Sequence, residues 1–391
     1  MSTNIQKNQI TEGIIWRQLL LFFFPILLGT FFQQLYNTID SVIVGQFVGK
    51  EALAAVGGSS AQIVAFVVGF FTGLSSGASV TIAQFFGAKD SRSANKGLHT
   101  AYAIAAFGGL ILTVSGIILT PFLLEMMNTP ADIVADSAVY LRIYFAGIIF
   151  VLIYNMGSAI LRATGDSKRP LYYLIVCCII NIVLDVLFVI VFHMGVMGVA
   201  VATLIAQAVS AVLVTLKLMR SEGILKLSVK QIRFHGSILK MQLKLGLPTG
   251  FEAILFSITN IAIQSAVNTF GTDTTAAWSA YGKLDAIFWM VSTAFGIAIT
   301  TFVGQNYGAG KMDRVRKSTR VCLLMDFIVS AVLVVFLIAA RFLLFRLFTN
   351  DSHVIEIGCD MLVLITPWYI VYVFIEVIAG ALRGVGNVVV P

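Results

Sequence analysis

Long apolar segments make up most of the chain, and polar residues collect in the short intervals between them. A helix needs about 20 apolar residues to cross a bilayer, and ten segments reach that length. They lie at about residues 16–45, 53–85, 97–120, 133–161, 171–193, 196–217, 243–269, 275–304, 318–340 and 354–382. Membrane β-barrels show short alternating strands instead. The pattern predicts an all-α polytopic membrane protein.

Composition and charge support this class. Only 12% of the 391 residues are charged and 58% are hydrophobic, whereas soluble domains carry about 25% charged residues. The net charge of +7 could indicate nucleic-acid binding, but the basic residues lie between the apolar segments. We therefore expect the lipid bilayer as a partner and no nucleic acid.

The basic residues also predict an orientation. With the N-terminus inside, 21 of the 26 lysines and arginines fall in inner segments and four in outer ones. Because cytoplasmic loops are enriched in these residues, we expect a cytoplasmic N-terminus. We expect the protein to lie in the bacterial cell (inner) membrane as a monomer.

The two halves of the chain share short matching segments. Residues 84–88 (QFFGA) match residues 305–309 (QNYGA), and residues 159–162 (AILR) match residues 380–383 (GALR), both at a shift of 221. A constant shift across several loops indicates duplication. It predicts two six-helix lobes that both enter the membrane from the cytoplasm.

The longest polar interval divides these predicted lobes. Residues 1–217 form the N-lobe with helices 1–6, residues 218–241 a cytoplasmic linker, and residues 242–391 the C-lobe with helices 7–10. At the same shift, the counterparts of 171–217 would occupy 392–438. We therefore expect the second lobe to lack its last two helices, and we favour a fragment of a twelve-helix protein over a natural ten-helix variant.

Ionisable residues inside the predicted helices are the strongest functional signal. A carboxylate at the bilayer centre costs about 2.5–3.5 kcal/mol on insertion scales, so it usually has a use. Polar residues recur at spacings of three and four, which place them on one face of a helix. They are Gln33, Tyr36, Asn37 and Asp40 in the first helix, Asn181 and Asp185 in the fifth, and Thr203 and Gln207 in the sixth.

Together these residues predict an oxygen-rich cluster. Two neighbouring carboxylates repel each other, which favours uptake of a proton or of a hard cation such as Na⁺ at Asp40, Asn181, Asp185 and Thr203. The alternative is that the polar side chains only hold helices together.

The seventh helix carries a second polar stripe, which indicates a water-filled cavity. The residues expected to line a substrate cavity are Gln33, Asn37, Gln207, Asn260 and Gln264. Glu252 is a candidate second acidic site, or it reaches the membrane surface by snorkelling. Asp326 and Asp360 are weaker candidates, because each is placed near the end of a predicted helix.

Pro25 interrupts the backbone hydrogen bonds of the first helix, fifteen residues before Asp40. It predicts either a moving hinge or a static kink.

Other classes lack their expected residues. A membrane transferase would need clustered acids such as DDxxD for magnesium, and that pattern is absent from the sequence. The four histidines have no metal-ligand spacing. A flippase for lipid-linked saccharides would need a cationic cavity, yet only Arg142 lies in a predicted span. We therefore expect a transporter, not an enzyme, with no cofactor other than a coupling ion, H⁺ or Na⁺.

Several motifs resemble those of MATE (multidrug and toxic compound extrusion) transporters. They are PILLGTFFQQLYNTIDSVIVGQFVG, QFFGAKD, GQNYGAGK, ILRATGDSKRP, ALRGVGNVVVP, and NIVLD followed by GVMGVAVAT. The resemblance implies a twelve-helix antiporter of two lobes. Such a protein exports organic cations or amphiphiles against entering protons or sodium.

The resemblance also implies site roles, residue by residue. It implies a cation site at Asp40, Asn181, Asp185 and Thr203, with Tyr36 as its aromatic neighbour and Pro25 as the bending proline. Glu252 lies near a seventh-helix acid of the NorM-like branch. The tenth helix offers only Glu376 near its cytoplasmic end, which favours a DinF-like arrangement.

Overall fold

The computed structural model describes residues 9–390, and the described chain is almost entirely helical. Within these residues, ten helices are long and apolar enough to cross a membrane, as the sequence predicts. Lys7, one of the basic residues counted for orientation, lies outside the described residues.

Most helices follow one another with short connections, and the polar linker between α8 and α9 is the longest. Their bounds are α1 Gln9–Glu12, α2 Ile15–Phe47, α3 Lys50–Gly57, α4 Ser59–Gly87, α5 Ser91–Met126, α6 Val134–Ala163, α7 Lys168–Asp185, α8 Gly195–Met219, α9 Gly236–Asn268, α10 Thr272–Gly308, α11 Met312–Ala339, α12 Arg341–Arg346, α13 Ser352–Ile365 and α14 Tyr369–Val385.

Three predicted spans are interrupted rather than continuous. The second is divided into α3 and α4 by Gly58. The fifth continues beyond α7 as a π-helix, Val186–Val191. The tenth changes to a 3₁₀ turn at Thr366–Trp368, which contains Pro367. Proline has no backbone N–H to continue the helix ladder, so the third interruption has a local cause in the sequence.

Two helices begin at aspartate caps. The Oδ1 atom of Asp90 accepts a hydrogen bond from the backbone N–H of Ser93 (3.0 Å) at the start of α5. The Asp351 Oδ1 atom accepts from the N–H groups of His353 (2.9 Å) and Val354 (3.3 Å) at the start of α13. Such caps satisfy N–H groups that have no partner inside the helix. The hydrogen bond from Ser93 also holds the pKa of Asp90 below its usual range.

The described chain divides into two compact units by its internal contacts. One unit contains residues 28–254, and the other contains residues up to 27 together with 255–391. The divisions fall inside α2, two residues after Pro25, and inside α9, six residues after Pro248. The predicted lobes divide instead at the 218–241 linker, and that lobe division stays a prediction.

The core of the Leu28–Ile254 unit is built around α6. Phe145, Ile148 and Leu152 lie on this helix and are almost fully buried. A side chain at Gly116 on α5 would place its Cβ 2.3 Å from the ring of Phe145. The absence of a Cβ at Gly116 therefore allows the aromatic ring to pack directly against the α5 backbone.

The polar linker is hydrogen-bonded to the start of α5 in this unit. The Asn95 side-chain amide donates to the carbonyl oxygens of Ile224 (3.1 Å) and Lys226 (3.2 Å). The backbone N–H of Ser228 donates to Nε2 of the buried His99 (3.0 Å). These bonds satisfy linker backbone groups that have no helical partner.

The second unit is built around α10. Phe288, Phe295 and Phe302 recur every seven residues on this helix and are fully buried. Seven residues are about two helical turns, so the three rings face one side. Basic residues of the α10–α11 region hold the carbonyls of α1: Nε of Arg314 donates to Ile10 (3.0 Å) and Nζ of Lys311 to Thr11 (2.9 Å).

Glycines allow α4 and α9 to approach closely within the Leu28–Ile254 unit. A Cβ added at Gly73 would lie 2.5 Å from the backbone nitrogen of Gly250, and one added at Gly77 would lie 2.4 Å from that of Gly246. Both helices therefore carry a glycine pair at a spacing of four. Small residues at this spacing are a common means of packing helices in membranes, where apolar burial gives little driving force.

We predict that Gly77→Ala lowers the thermal stability of the purified protein by about 1–3 kcal/mol, because the added methyl group meets backbone that cannot yield. The matched control is Gly69→Ala on the same helix, where the new Cβ would lie at an ordinary 3.6 Å from Ala253. Thermal unfolding in detergent measures both. Equal effects of the two substitutions would contradict the close helix contact.

Candidate functional site

Four residues predicted to bind a cation lie together in the Leu28–Ile254 unit. Asp40 comes from α2, Asn181 and Asp185 from α7, and Thr203 from α8. All four side chains are buried, and Asp185 is 0% exposed. The spacing of four between Asn181 and Asp185 places both on one face of α7. The structure thus brings the set together, and its binding of a cation stays a prediction.

A short series of hydrogen bonds connects the three helices. Nδ2 of Asn181 donates to Oγ1 of Thr203 (3.5 Å), and this hydroxyl donates to Oδ2 of Asp40 (3.5 Å). The Asp185 carboxyl group lies close enough to Asp40 for the two to interact. Both hydrogen bonds are long, so they connect the three helices only weakly.

Four oxygens of the cluster accept no hydrogen bond. They are Oδ1 of Asp40, Oδ1 of Asn181, and both carboxyl oxygens of Asp185. A buried acceptor without a donor costs about 1–3 kcal/mol, and more when it is charged. Two carboxylates cannot donate to each other unless one binds a proton. The cluster therefore provides acceptors that a proton or a small cation would satisfy.

The oxygen atoms that this cluster could offer as ligands suit a singly charged ion better than a transition metal. Every unpaired atom of the cluster is an oxygen, which hard cations prefer. Across residues 9–390, no group of three or more His, Cys, Asp or Glu side chains is placed to hold a metal ion. Two carboxylates with neutral amide and hydroxyl oxygens are consistent with the predicted H⁺ or Na⁺.

The α-helix changes to a π-helix directly after Asp185. The π-helix Val186–Val191 follows α7 without a break in the chain. Short π segments occur often at functional sites, because the wider turn changes which carbonyls pair with which N–H groups. The change in register at Asp185 gives the helix locally different hydrogen bonding beside the cluster.

Aromatic residues lie beside the cluster, and only Tyr36 among them was predicted from the sequence. Nε2 of Gln207 donates to the hydroxyl of Tyr36 (3.3 Å). Tyr140 and Tyr144 on α6 stack with their ring centroids 6.2 Å apart, and Tyr140 interacts electrostatically with the carboxyls of Asp40 and Asp185. The signal for these two tyrosines was their spacing of four on an apolar helix.

The residues predicted to line a substrate cavity have different surroundings. Gln33 and Asn37 are exposed on α2, whereas Gln207 is buried beside Tyr36. On α9, Asn260 is exposed, and the Gln264 amide donates to a side chain one turn along the same helix (2.8 Å). A shared cavity for these residues stays a prediction.

Three further acids and Pro25 were also candidates from the sequence, and each lies in a different environment. Glu252 is exposed on α9, and Asp360 is exposed on α13. The expected position of Asp326 near a helix end was wrong: α11 begins at Met312, six residues before the predicted start, and Asp326 lies buried near its middle. Pro25 is buried within α2, which remains helical on both sides of it.

Another carboxylate in the second unit accepts hydrogen bonds from aromatic side chains. The hydroxyl of Tyr369 donates to Oδ1 of Asp285, and Nε1 of Trp289 donates to Oδ2 (2.7 Å). The hydroxyls of Tyr281 and Tyr369 lie 2.5 Å apart. Both oxygens of Asp285 are therefore satisfied by neutral donors.

Ten helices long and apolar enough to cross a membrane indicate a polytopic membrane protein within the described residues. The sequence profile of the MatE family matches residues 25–187 and 248–391. The chain therefore belongs to the MatE family.

Similar proteins agree with this assignment. The chain is 30% identical over 385 residues to "Probable multidrug resistance protein YoeA" of Bacillus subtilis, covering 96% of this chain and 83% of that protein. It is 27% identical to "Probable multidrug resistance protein NorM" of Thermotoga maritima, covering 99% of this chain and 83% of that protein.

Solved structures show the same fold. A structure described as an "outward-facing conformation of a multidrug resistance MATE family transporter of the MOP superfamily" superposes with a TM-score of 0.91. It is 22% identical in sequence, and the match covers 99% of this chain and 86% of that one. The MATE fold expected from the sequence motifs is thereby confirmed.

We predict that H⁺ or Na⁺ binding to this cluster raises the thermal stability of the purified protein and that Asp185→Asn abolishes this effect. An ion that binds only the folded state stabilises it by about 2.7 kcal/mol at 100 times its Kd. Unfolding midpoints measured with and without Na⁺, and at lower pH, identify the ion. The matched control is Asp136→Asn, an exposed acid in the first turn of α6, which should keep the full shift.

Proposed function

We propose that this protein exports organic cations and amphiphilic drugs in exchange for entering H⁺ or Na⁺, by alternating access. The coupling ion binds at Asp40, Asn181, Asp185 and Thr203. One observation carries the proposal: four oxygens of this buried cluster lack a donor, and two of its members are carboxylates. A carboxylate pair in the membrane interior with no basic partner among residues 9–390 requires a cation for at least part of a transport cycle.

The substrate class is supported by the names of relatives. The Bacillus subtilis and Thermotoga maritima proteins are both named as probable multidrug resistance proteins. Because the chain aligns with them over nearly its whole length, the same class of substrate is the simplest assignment.

Asp285 and the aromatic side chains around it give separate support for cationic substrates. Asp285 accepts only from neutral donors and is in no ion pair within residues 9–390. The Trp289 and Tyr372 rings meet edge to face with centroids 4.6 Å apart. Organic cations are attracted both to a carboxylate and to aromatic faces. This half-buried group thus has the chemistry of a drug contact.

Pro25 connects the ion site to a conformational change in this proposal. It lies fifteen residues before Asp40 on the same helix, about 22 Å along the helix axis. The division between the two compact units falls two residues after Pro25. A helix that lacks one backbone hydrogen bond bends there most easily. Ion binding at Asp40 would therefore be transmitted along α2 to this point.

The charged residues also bear on the protein's location and on an alternative function. The basic residues favour a cytoplasmic N-terminus in the cell membrane, and we expect a monomer. The flippase alternative needs cations around a central cavity, yet Arg142 lies exposed on α6. No observation in either unit favours it.

We predict that cells expressing the protein export a fluorescent cationic dye when an ion gradient is applied and that Asp40→Asn reduces this export at least tenfold. De-energised cells lacking their own exporters receive either a sodium or a pH gradient, and dye fluorescence is followed. The gradient that drives export identifies the ion. Asp136→Asn serves as the control and should export normally; export untouched by Asp40→Asn would refute the site.

We predict that Pro25→Ala reduces dye export severalfold while leaving ion-dependent thermal stabilisation intact. The substitution restores a backbone hydrogen bond and stiffens α2, but it leaves the side chains of the ion site unchanged. The matched control is Pro121→Ala, an exposed proline inside α5. Normal export by Pro25→Ala would show that the kink is static.

A further inference from the structure

The last residues of the polar linker lie against a spanning helix of the Leu28–Ile254 unit. The rings of Phe107 and Phe234 meet edge to face, with their centroids 5.9 Å apart. Phe107 lies on α5, and Phe234 stands two residues before the start of α9 at Gly236. Both side chains remain about half exposed, at 56% and 46%. An aromatic pair is therefore presented on the outside of the unit where the linker ends.

The exposed side of α5 beyond this pair is entirely apolar. Between residues 101 and 119 the exposed positions are Phe107, Leu110, Ile111, Val114, Ile118 and Leu119. A helix face that lines a water-filled cavity carries polar residues, and this face carries none. It suits the acyl chains of lipids, and aromatic rings such as those of Phe107 and Phe234 are enriched where acyl chains meet headgroups.

A guanidinium group is held next to the aromatic pair by a series of hydrogen bonds. Nε of Arg233 donates to Nε2 of His235 (3.3 Å). Because Nε2 accepts, the ring proton is on Nδ1, which lies 3.1 Å from Oγ1 of Thr100. The backbone N–H of His235 donates to the same oxygen (3.3 Å). Thr100 stands three residues after the start of the predicted span 97–120, so the series holds Arg233 near the membrane surface.

The surroundings of His235 keep its ring neutral. Burial and the nearby positive charges of Arg233 and Lys96, with a smaller effect of His99, hold the pKa of His235 below its usual range. A neutral ring keeps Nε2 as the acceptor for Arg233. Lys96 lies four residues before Thr100, on the same face of α5. Two basic side chains therefore lie around one neutral imidazole.

These basic groups have no acidic partner. Neither Arg233 nor Lys96 forms an ion pair within residues 9–390. The whole linker, residues 218–241, has five lysines and arginines but only one acid, Glu222. A guanidinium has five N–H groups, and only Nε–H of Arg233 is paired. The others can donate to two oxygens of one phosphate at the same time.

We propose that Arg233, Lys96, Phe107 and Phe234 form a binding site for one anionic phospholipid. The phosphate of the headgroup accepts from the guanidinium of Arg233, and Lys96 adds positive charge. An acyl chain lies along Phe234 and Phe107 and continues over the apolar side of α5. The role of His235 is to position Arg233. A phospholipid is the occupant that fits, because a phosphate alone would leave the exposed aromatic pair uncovered.

Native mass spectrometry of the full chain in detergent tests this site. The protein is titrated with dioleoyl phosphatidylglycerol or with dioleoyl phosphatidylcholine, and bound lipids are counted. We expect tighter binding of phosphatidylglycerol and an affinity about fivefold lower in Arg233→Gln, the usual effect of one basic residue near an anionic surface. The matched control is Arg220→Gln, an exposed arginine of the same linker, which should bind as the parent chain does. Equal affinities of Arg233→Gln and the parent chain would overturn the proposal.

A second variant separates a built site from general attraction by positive charge. His235→Ala leaves the net charge unchanged but removes the acceptor that holds Arg233. We expect severalfold weaker binding of phosphatidylglycerol, whereas attraction by charge alone would leave the affinity unchanged and would overturn the positioning role. If either variant does not fold, Arg233→Lys replaces it. It keeps the charge but loses the planar pair of donors, and binding equal to the parent chain would contradict the assigned contact.

A competition experiment distinguishes a lipid from a free anion. Inorganic phosphate is added to the complex with phosphatidylglycerol at the same concentration as the lipid. We expect the lipid to remain bound, because phosphate lacks the acyl chain that covers Phe107 and Phe234. Displacement of the lipid would show an anion site and overturn the lipid assignment.

This inference does not rest on the proposed function. The binding measurements use neither a drug nor an ion gradient, so they do not depend on export. A parent chain that binds phosphatidylglycerol but exports no dye would refute only the proposed function. Normal export with no preference for phosphatidylglycerol would refute only the lipid site.

Discussion

Water stabilises a carboxylate far better than the interior of a bilayer does, and this difference in solvation limits where every charge in this protein can lie. Charged residues make up 12% of the sequence, and most lie between the helices or in their first and last turns. The acids inside helices are therefore informative. Asp285 accepts from neutral donors on both oxygens, Asp326 is satisfied on one side only, and Asp185 has no hydrogen bond on either oxygen.

The apolar interior of the bilayer also determines how the helices pack. Inside a membrane the attraction between helices comes mainly from close van der Waals contact and hydrogen bonds. The glycines of α4 and α9 meet backbone to backbone. On α10, the missing side chain of Gly296 leaves room for the carboxyl group of Glu376. Small residues thus serve two purposes here, since they allow helices to approach and allow charged side chains to be enclosed.

Much of this arrangement could be predicted from the sequence, because the bilayer imposes a length and polar residues follow helical spacing. The ten spans and the grouping of Asn181 with Asp185 on one face came from those rules alone. The burial of Asp326 could not be predicted, since it depends on where α11 begins and on how that helix packs in the folded unit. The proximity of Tyr140 to both carboxyls likewise arises from tertiary packing, which no local spacing encodes.

A second proton changes the energetics of exchange and not merely its stoichiometry. When one proton enters for each singly charged drug that leaves, no net charge crosses, so the membrane potential contributes nothing. When two protons enter, one net positive charge moves inward and gains about 2.3 kcal/mol per 100 mV. That free energy corresponds to about a fifty-fold greater drug gradient. The number of protons that the carboxyl groups of Asp40 and Asp185 take up for each drug molecule therefore decides whether the membrane voltage can drive the export of such a drug.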